Sequence, residues 1–162
     1  MSDSSLRTLF IETLKDTYYA EKQILKALPK MAAVTQSDAL RAGLLEHREQ
    51  TEGHVARLEQ VFEMLETPPR GKTCDAIPGI VEEAQTIMKD FKNTQALDAG
   101  LAAAAQAVEH YEIARYGTLR SWALRLGLSD AVPLLEATLA EEAATNEKLR
   151  GLAETEVDGK AS

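Results

Sequence analysis

The stretch LAAAAQAVEHYEIARYGTLRSWALRLG, residues 101–127, decides the fold class. Apolar or small side chains recur in steps of three and four at Leu101, Ala105, Val108, Tyr116, Leu119, Ala123 and Leu126, the period of one buried helix face. Glu112 occupies the step between Val108 and Tyr116, where an apolar residue belongs. Glu109 lies one turn earlier on nearly the same face, and Gly127 closes the run as a left-handed cap would. The reading is a helix C from about Thr94 to Leu126 with an acidic interruption at its middle.

Three more segments have the same period. Helix A runs from about Ser4 to Val34, opened by Ser/Asp caps, and Pro29 is expected to bend or shorten it. Helix B runs from about Ser37 to Glu66, started by Ser37-Asp38 and stopped by Pro68-Pro69. Helix D runs from Ser129 to about Ala153, with Pro133 tolerated in its first turn. Short A–B and C–D connections make two antiparallel hairpins. Residues 67–93 form a long crossover with a short helix from Ile80 to about Phe91, so that C starts at the end where A starts or lies against A. The polar segment 154–162 has no periodicity and is expected to fray. The expectation is an all-α four-helix bundle over residues 1–153, followed by a flexible tail.

Composition agrees and narrows the function. The 162 residues include only 5% aromatics and carry a net charge of −8, which disfavours nucleic acid and anionic membrane surfaces as partners. Cys74 is the only cysteine, so no intrachain disulfide forms and a cytoplasmic setting is expected. The first residues, Met1-Ser2-Asp3-Ser4-Ser5, have neither a basic nor an apolar run, and the expectation is an unprocessed, soluble chain.

The other stripes are interrupted too. Helix A gives Leu6, Phe10, Leu14, Glu21, Leu25, Leu28, with Tyr18 on its shoulder; helix B gives Leu40, Leu44, His47, Thr51, His54, Leu58, Val61, Leu65. Helix D gives Leu135, Leu139, Glu142, Thr145 or Asn146, Leu149, Leu152. Glu21 precedes the A–B turn by about 14 residues and Gln50-Thr51 follow it by about 15, each roughly 22 Å along the axis. Glu112 and Glu142 are likewise about 16 and about 14 residues from the C–D turn, so both hairpins place their interruptions at mid-height. Buried unpaired carboxylates cost several kcal/mol each, and no Lys or Arg sits on these stripe positions except Arg115, beside Tyr116. Either a bound cation or a hydrogen-bonded polar layer compensates them. Carboxylates with imidazole suit iron or manganese. His54 is either a ligand or a histidine satisfied by a neighbour. His47 and His110 are read as structural or exposed, although His47 could supply a further nitrogen. Tyr18 and Tyr116 pack in the core or hydrogen-bond to the carboxylates. No nucleophile elbow, phosphate-cradling glycine loop or zinc cysteine framework is present in the sequence.

Taken together, Asp16-x-Tyr18-x-Ala20-Glu21-Lys22-Gln23, Thr51-x-x-His54-Val55-x-Arg57-Leu58-Glu59-x-Val61-Phe62, Val108-Glu109-His110-Tyr111-Glu112-Ile113-Ala114-x-Tyr116-Gly117-Thr118 and Glu141-Glu142-x-x-Thr145-x-Glu147-Lys148-Leu149 resemble the ferritin-like YciF/YciE family of bacterial stress proteins. The resemblance covers Leu6 to Ala153 and implies a rubrerythrin-like bundle, a homodimer and a stress-linked role. In the wider ferritin-like superfamily the ligands are a Glu on A, Glu-x-x-His on B, one or two Glu on C and Glu-x-x-His on D. Glu21, His54, Glu109, Glu112 and Glu142 fall on matching positions, which implies a dinuclear iron or manganese centre. Thr51 and Thr145 stand where that pattern has Glu and His. If the chain is an enzyme, the resemblance implies an oxidoreductase reacting with peroxide or oxygen; the alternative is a metal-free bundle that acts by association.

Overall fold

The structure, a computed structural model, describes residues 5–161; the expected start of helix A at Ser4 lies outside them. Five α-helices are present: α1 (Leu6–Val34), α2 (Asp38–Met64), α3 (Ala76–Asp90), α4 (Leu97–Arg125) and α5 (Val132–Leu152). No strand occurs among the described residues, and no described helix is long and apolar enough to cross a membrane. The Ser5 and Ser37 hydroxyls accept from Thr8 N–H and Leu40 N–H, which caps α1 and α2. Helix α1 ends at Val34 as expected, and Pro29 lies within it without shortening it.

The hairpins close as their turn residues direct. Gly127 (φ 69°) ends α4: its N–H donates to Leu124 O (3.2 Å) and Leu128 N–H donates to Ala123 O (2.9 Å), a Schellman motif. The end of α2 has the same pattern, with Glu66 N–H to Glu63 O and Thr67 N–H to Phe62 O, both 3.0 Å. Here, however, Glu66 takes the left-handed conformation (φ 51°). A side chain there costs roughly 1–2 kcal/mol, and glycine's greater unfolded freedom offsets about 0.5–1 of it. Glu66→Gly is therefore expected to stabilise the protein by about 0.5–1 kcal/mol, read as a higher denaturation midpoint; an unchanged or lower midpoint would refute it.

Helices α1, α2, α5 and α4 pack in that order around the bundle, and α3 lies against α1 and α4. The crossover runs the length of the bundle. It begins where α1 begins, and it delivers the chain to the α1–α2 turn, where Asp98 Oδ1 accepts from the Thr35 hydroxyl (2.6 Å) and Gln36 N–H (2.9 Å). Helix α4 thus starts at the end where α1 finishes and lies antiparallel against α1, which settles the two placements left open by the sequence. Along the way Lys72 N–H donates to Lys15 O (3.2 Å), and Ile87 packs so close to Gly100 that a Cβ there would stand 2.6 Å from Ile87 Cγ2. Helix α3 is longer than expected and begins at Ala76.

The segment expected to fray continues α5 as a π-type turn (Ala153–Val157) and a 3-10 turn (Asp158–Lys160). Val157 is buried, a single apolar residue beyond the helix end that carries no period.

The core has two apolar parts. Ile24, Leu28, Leu40, Leu44, Leu101, Val108 and Leu149 belong to one cluster, together with the crossover residues Cys74 and Ile77. Phe10, Leu14, Leu58, Phe62, Tyr116, Leu119 and Leu135 belong to the other. Ile24 takes the place the stripe gave to Leu25, which is half-buried. The clusters occupy opposite halves of every long helix, and the polar layer lies between them.

Candidate metal centre

Each long helix carries its polar residues into this layer at mid-length, because the 3.6-residue period keeps Glu21, His47, His54, Glu109, Glu112 and Glu142 on inward faces. All six are at most 1% exposed. The structure brings together all five residues singled out from the pattern, and it adds His47. Of the two readings of His47, structural or exposed, exposure is ruled out: seven residues before His54 on α2, it is buried and faces the same interior. His110 is exposed, and its Nδ1 lies 2.8 Å from Gln106 O.

The six side chains form two groups. Glu21, His54, Glu112 and Glu142 offer ligand atoms all within 4.8 Å of one another, and so do His47, Glu109, Glu112 and Glu142. Glu112 and Glu142 are common to both. His47 Nδ1 approaches Glu109 Oε1 at 2.9 Å, and its Nε2 lies 3.4 Å from Glu112 Oε2 and 3.6 Å from Glu142 Oε2. His54 Nδ1 lies 2.8 Å from Glu142 Oε1 and 3.7 Å from Glu21 Oε1.

These short approaches are poorly aligned for hydrogen bonds. Both oxygens of Glu109, Glu112 and Glu142, Glu21 Oε2, both His47 nitrogens and His54 Nδ1 are buried without a hydrogen-bond partner. A polar layer that served only to fix helix register would pair such atoms, since each buried orphan costs about 1–3 kcal/mol. Lone pairs converging at close range without hydrogen-bond geometry fit a cation between them. Two divalent cations would also cancel the charge of the four carboxylates.

Without a cation the layer must hold protons. Burial pushes the Glu109 carboxyl up to about 9 against the opposing pull of His47. Burial raises Glu112 well above the usual carboxylate range, helped by the charges of Glu21 and Glu142, and it raises Glu21 as well. Burial works against a charged His47 ring, but the surrounding Glu109, Glu112 and Glu142 outweigh it and hold that ring well above its ordinary value. Glu142 moves the other way: burial opposes its ionisation, yet the two imidazoles hold it well below the usual range.

Around the layer, the Tyr116 hydroxyl donates to Glu21 Oε1 at 2.6 Å. Tyr18 donates instead to Glu59 Oε1 at 2.9 Å. His54 Nε2 lies 2.8 Å from Glu141 Oε2, and Arg57 donates to both oxygens of Glu141, at 2.9 and 2.7 Å. Glu141 and Arg57 are a third and a quarter exposed, and stripe reading passes over them because they sit at the rim of the buried face. The hydroxyls at the two departures from the superfamily pattern bond to other partners than the carboxylates: Thr51 Oγ1 donates to His47 O (2.7 Å) and Thr145 Oγ1 to Gln50 Oε1 (2.8 Å).

The bundle has the fold of known proteins. Residues 5–162 match the family described as a domain of unknown function, DUF892. Protein YciF of Escherichia coli K12 is 42% identical over 162 residues, covering 99% of this chain and 98% of YciF. The chain belongs to this DUF892 family of YciF homologues. The solved structure of YciF, described as a stress protein, superposes with a TM-score of 0.91 over 96% of this chain and 99% of that one. YcfI of Rhodopseudomonas palustris, 45% identical, gives 0.89 over 93% and 97%. A Bacillus anthracis protein described as ferritin-like and diiron-carboxylate gives 0.72 over 93% and 99% at 19% identity, which shows the ferritin-like fold alone. This DUF892 member therefore has a ferritin-like bundle whose buried carboxylate and histidine cluster can hold a metal.

Proposed function

We propose that the protein binds two iron ions in the mid-bundle layer and serves in protection against oxidative or general stress by reacting with peroxide or oxygen. The observation that carries this reading is the pair of four-residue groups sharing Glu112 and Glu142. His47 restores the imidazole that Thr145 does not provide, so each position has one nitrogen and three carboxylates to draw on. Such a donor set suits iron or manganese more than zinc, which favours four-coordinate sites richer in nitrogen and sulfur. The descriptions of the E. coli relative as a stress protein and of the B. anthracis neighbour as a diiron-carboxylate protein agree with the reading.

In this reading Glu21 and His54 hold one ion, His47 and Glu109 the other, and Glu112 and Glu142 lie between them. The ions would supply electrons to a bound oxidant. The apolar clusters above and below exclude water from the layer, and Tyr116 fixes the rotamer of Glu21 through its donated hydrogen bond. Glu109 and Glu112, which hold protons in the metal-free protein, give them up when an ion enters. We further propose that the chain works as a cytoplasmic homodimer, for which the exposed Leu9, Leu45, Met64, Phe91 and Leu124 offer apolar surface.

Anaerobic titration with Fe(II) followed by peroxide tests the reading. About two ions are expected per chain, oxidised on peroxide addition faster than free Fe(II) at the same concentration. A chain that takes up no Fe(II) would sink it. A second reading, a metal-free bundle acting by association, is favoured by Thr51 and Thr145, whose hydroxyls bond to other partners than the carboxylates. Stoichiometric metal in the purified protein would count against that one.

A further inference from the structure

We infer that the two metal positions are unequal and fill in order, the one held by Glu21 and His54 first and the one held by His47 and Glu109 second. The inference rests on the dinuclear reading above and concerns what lies behind the ligands.

The first position is braced from outside. Tyr116, itself fully buried, donates to Glu21 Oε1 at 2.6 Å and leaves Oε2 without a partner inside the layer. Behind His54 stands Glu141, 2.8 Å from Nε2. That carboxylate is clamped by both terminal nitrogens of Arg57, and Arg57 Nη1 also donates to the Thr138 hydroxyl at 3.2 Å. A carboxylate paired in this way only accepts, so Nε2 donates its proton to Glu141, and Nδ1 is the nitrogen left facing Glu142 and Glu21 as the ligand atom for an entering ion. The ring plane and ligand atom of His54 are thus set before any ion arrives.

No such bracing stands behind the second position. Neither nitrogen of His47 and neither oxygen of Glu109 has a hydrogen-bond partner. His47 has carboxylates on both sides, Glu109 at Nδ1 and Glu112 and Glu142 at Nε2, so no neighbour selects which nitrogen presents its lone pair. An ion entering there must fix the tautomer and the Glu109 rotamer itself. Outer partners of metal-bound histidines and carboxylates are commonly worth about 10–100-fold in affinity. With the bridging carboxylates common to both positions, that factor falls on one position alone. When metal is limiting, the chain holds a single ion at Glu21 and His54, and the second position remains available to an ion of another kind.

Titration of the chelator-treated full chain with Co(II), followed by calorimetry and by the visible bands that report coordination, tests the order. Two steps are expected, separated by at least about tenfold in affinity. His54→Ala should remove the tight step and leave the weak one, whereas His47→Ala should do the reverse. Glu141→Gln, at a partly exposed position that the fold tolerates, should weaken the tight step about tenfold or more and leave the weak step in place. Two equal equivalents, or a tight step that survives His54→Ala or is unmoved by Glu141→Gln, would overturn the order while leaving the dinuclear reading standing. Absence of Co(II) binding by the folded parent chain would overturn both.

Discussion

Glu112→Gln combined with Glu142→Gln is expected to abolish metal binding at both positions while the bundle still folds. These two carboxylates serve both four-residue groups, so their loss takes two of four donors from each position at once. Glutamine keeps the shape of glutamate, and the amide adds neither charge nor a good ligand atom. Metal content by mass spectrometry should fall from about two ions per chain to a trace, with unchanged helical circular dichroism as the control for folding. A single change at His47 or Glu109 touches one group and should leave about one ion, so the double variant separates shared from private ligands. Parent stoichiometry in a folded double variant would rule out the layer as the metal site.

The second large effect is a reversal of pH dependence by metal. In the unfolded chain Glu109 titrates near the ordinary carboxylate value, whereas burial holds it up to about 9 in the folded metal-free protein. Between those values the folded state binds the extra proton. A raised carboxyl contributes stability that is present in full below its unfolded pKa and is lost as pH rises through its folded pKa. At full slope each such group removes about 1.4 kcal/mol per pH unit, and Glu112, also raised, acts in the same direction. The upward shift of His47 has the same sign, with its contribution lost above the ordinary histidine value. Glu142, held low, affects only the acid side below its ordinary value. Chelated protein should therefore melt at progressively lower temperature from about pH 5.5 to about 8.5. Metal binding displaces the same protons, so the affinity for metal, and the stabilisation it confers, should increase over that interval. Melting curves with chelator and with metal at three pH values would show the two trends diverge; a chelated protein whose melting temperature rises with pH would contradict the assignment of buried protons to this layer.

Much of this architecture is legible in the chain because helices announce themselves by period. The break of the stripes at Glu21, His54, Glu112 and Glu142 is enough to place the layer at mid-height, since antiparallel hairpins convert distance from a turn into height. His47 is on the inward stripe of α2, but the superfamily spacing directs attention to the residue three positions from His54 and away from the one two turns off on the same face. Glu141 and Arg57 escape notice because their work depends on a neighbouring helix, which one helix's periodicity cannot encode. Val157 escapes because a single buried residue after a helix end has no period. The placement of α4 against α1 is one of two alternatives in the sequence, and the Asp98 bonds to Thr35 and Gln36 decide it.

The separation of the core into two apolar clusters makes the layer a joint between two halves of the bundle. Each cluster is built from one half of every long helix, and the long helices and the crossover are the covalent links between the halves. Ions gripped simultaneously by α1, α2, α4 and α5 would cross-tie those halves, as a pin through four rods fixes a frame that could otherwise shear. Occupancy of the centre would then decide whether the molecule opens in parts or only as a whole.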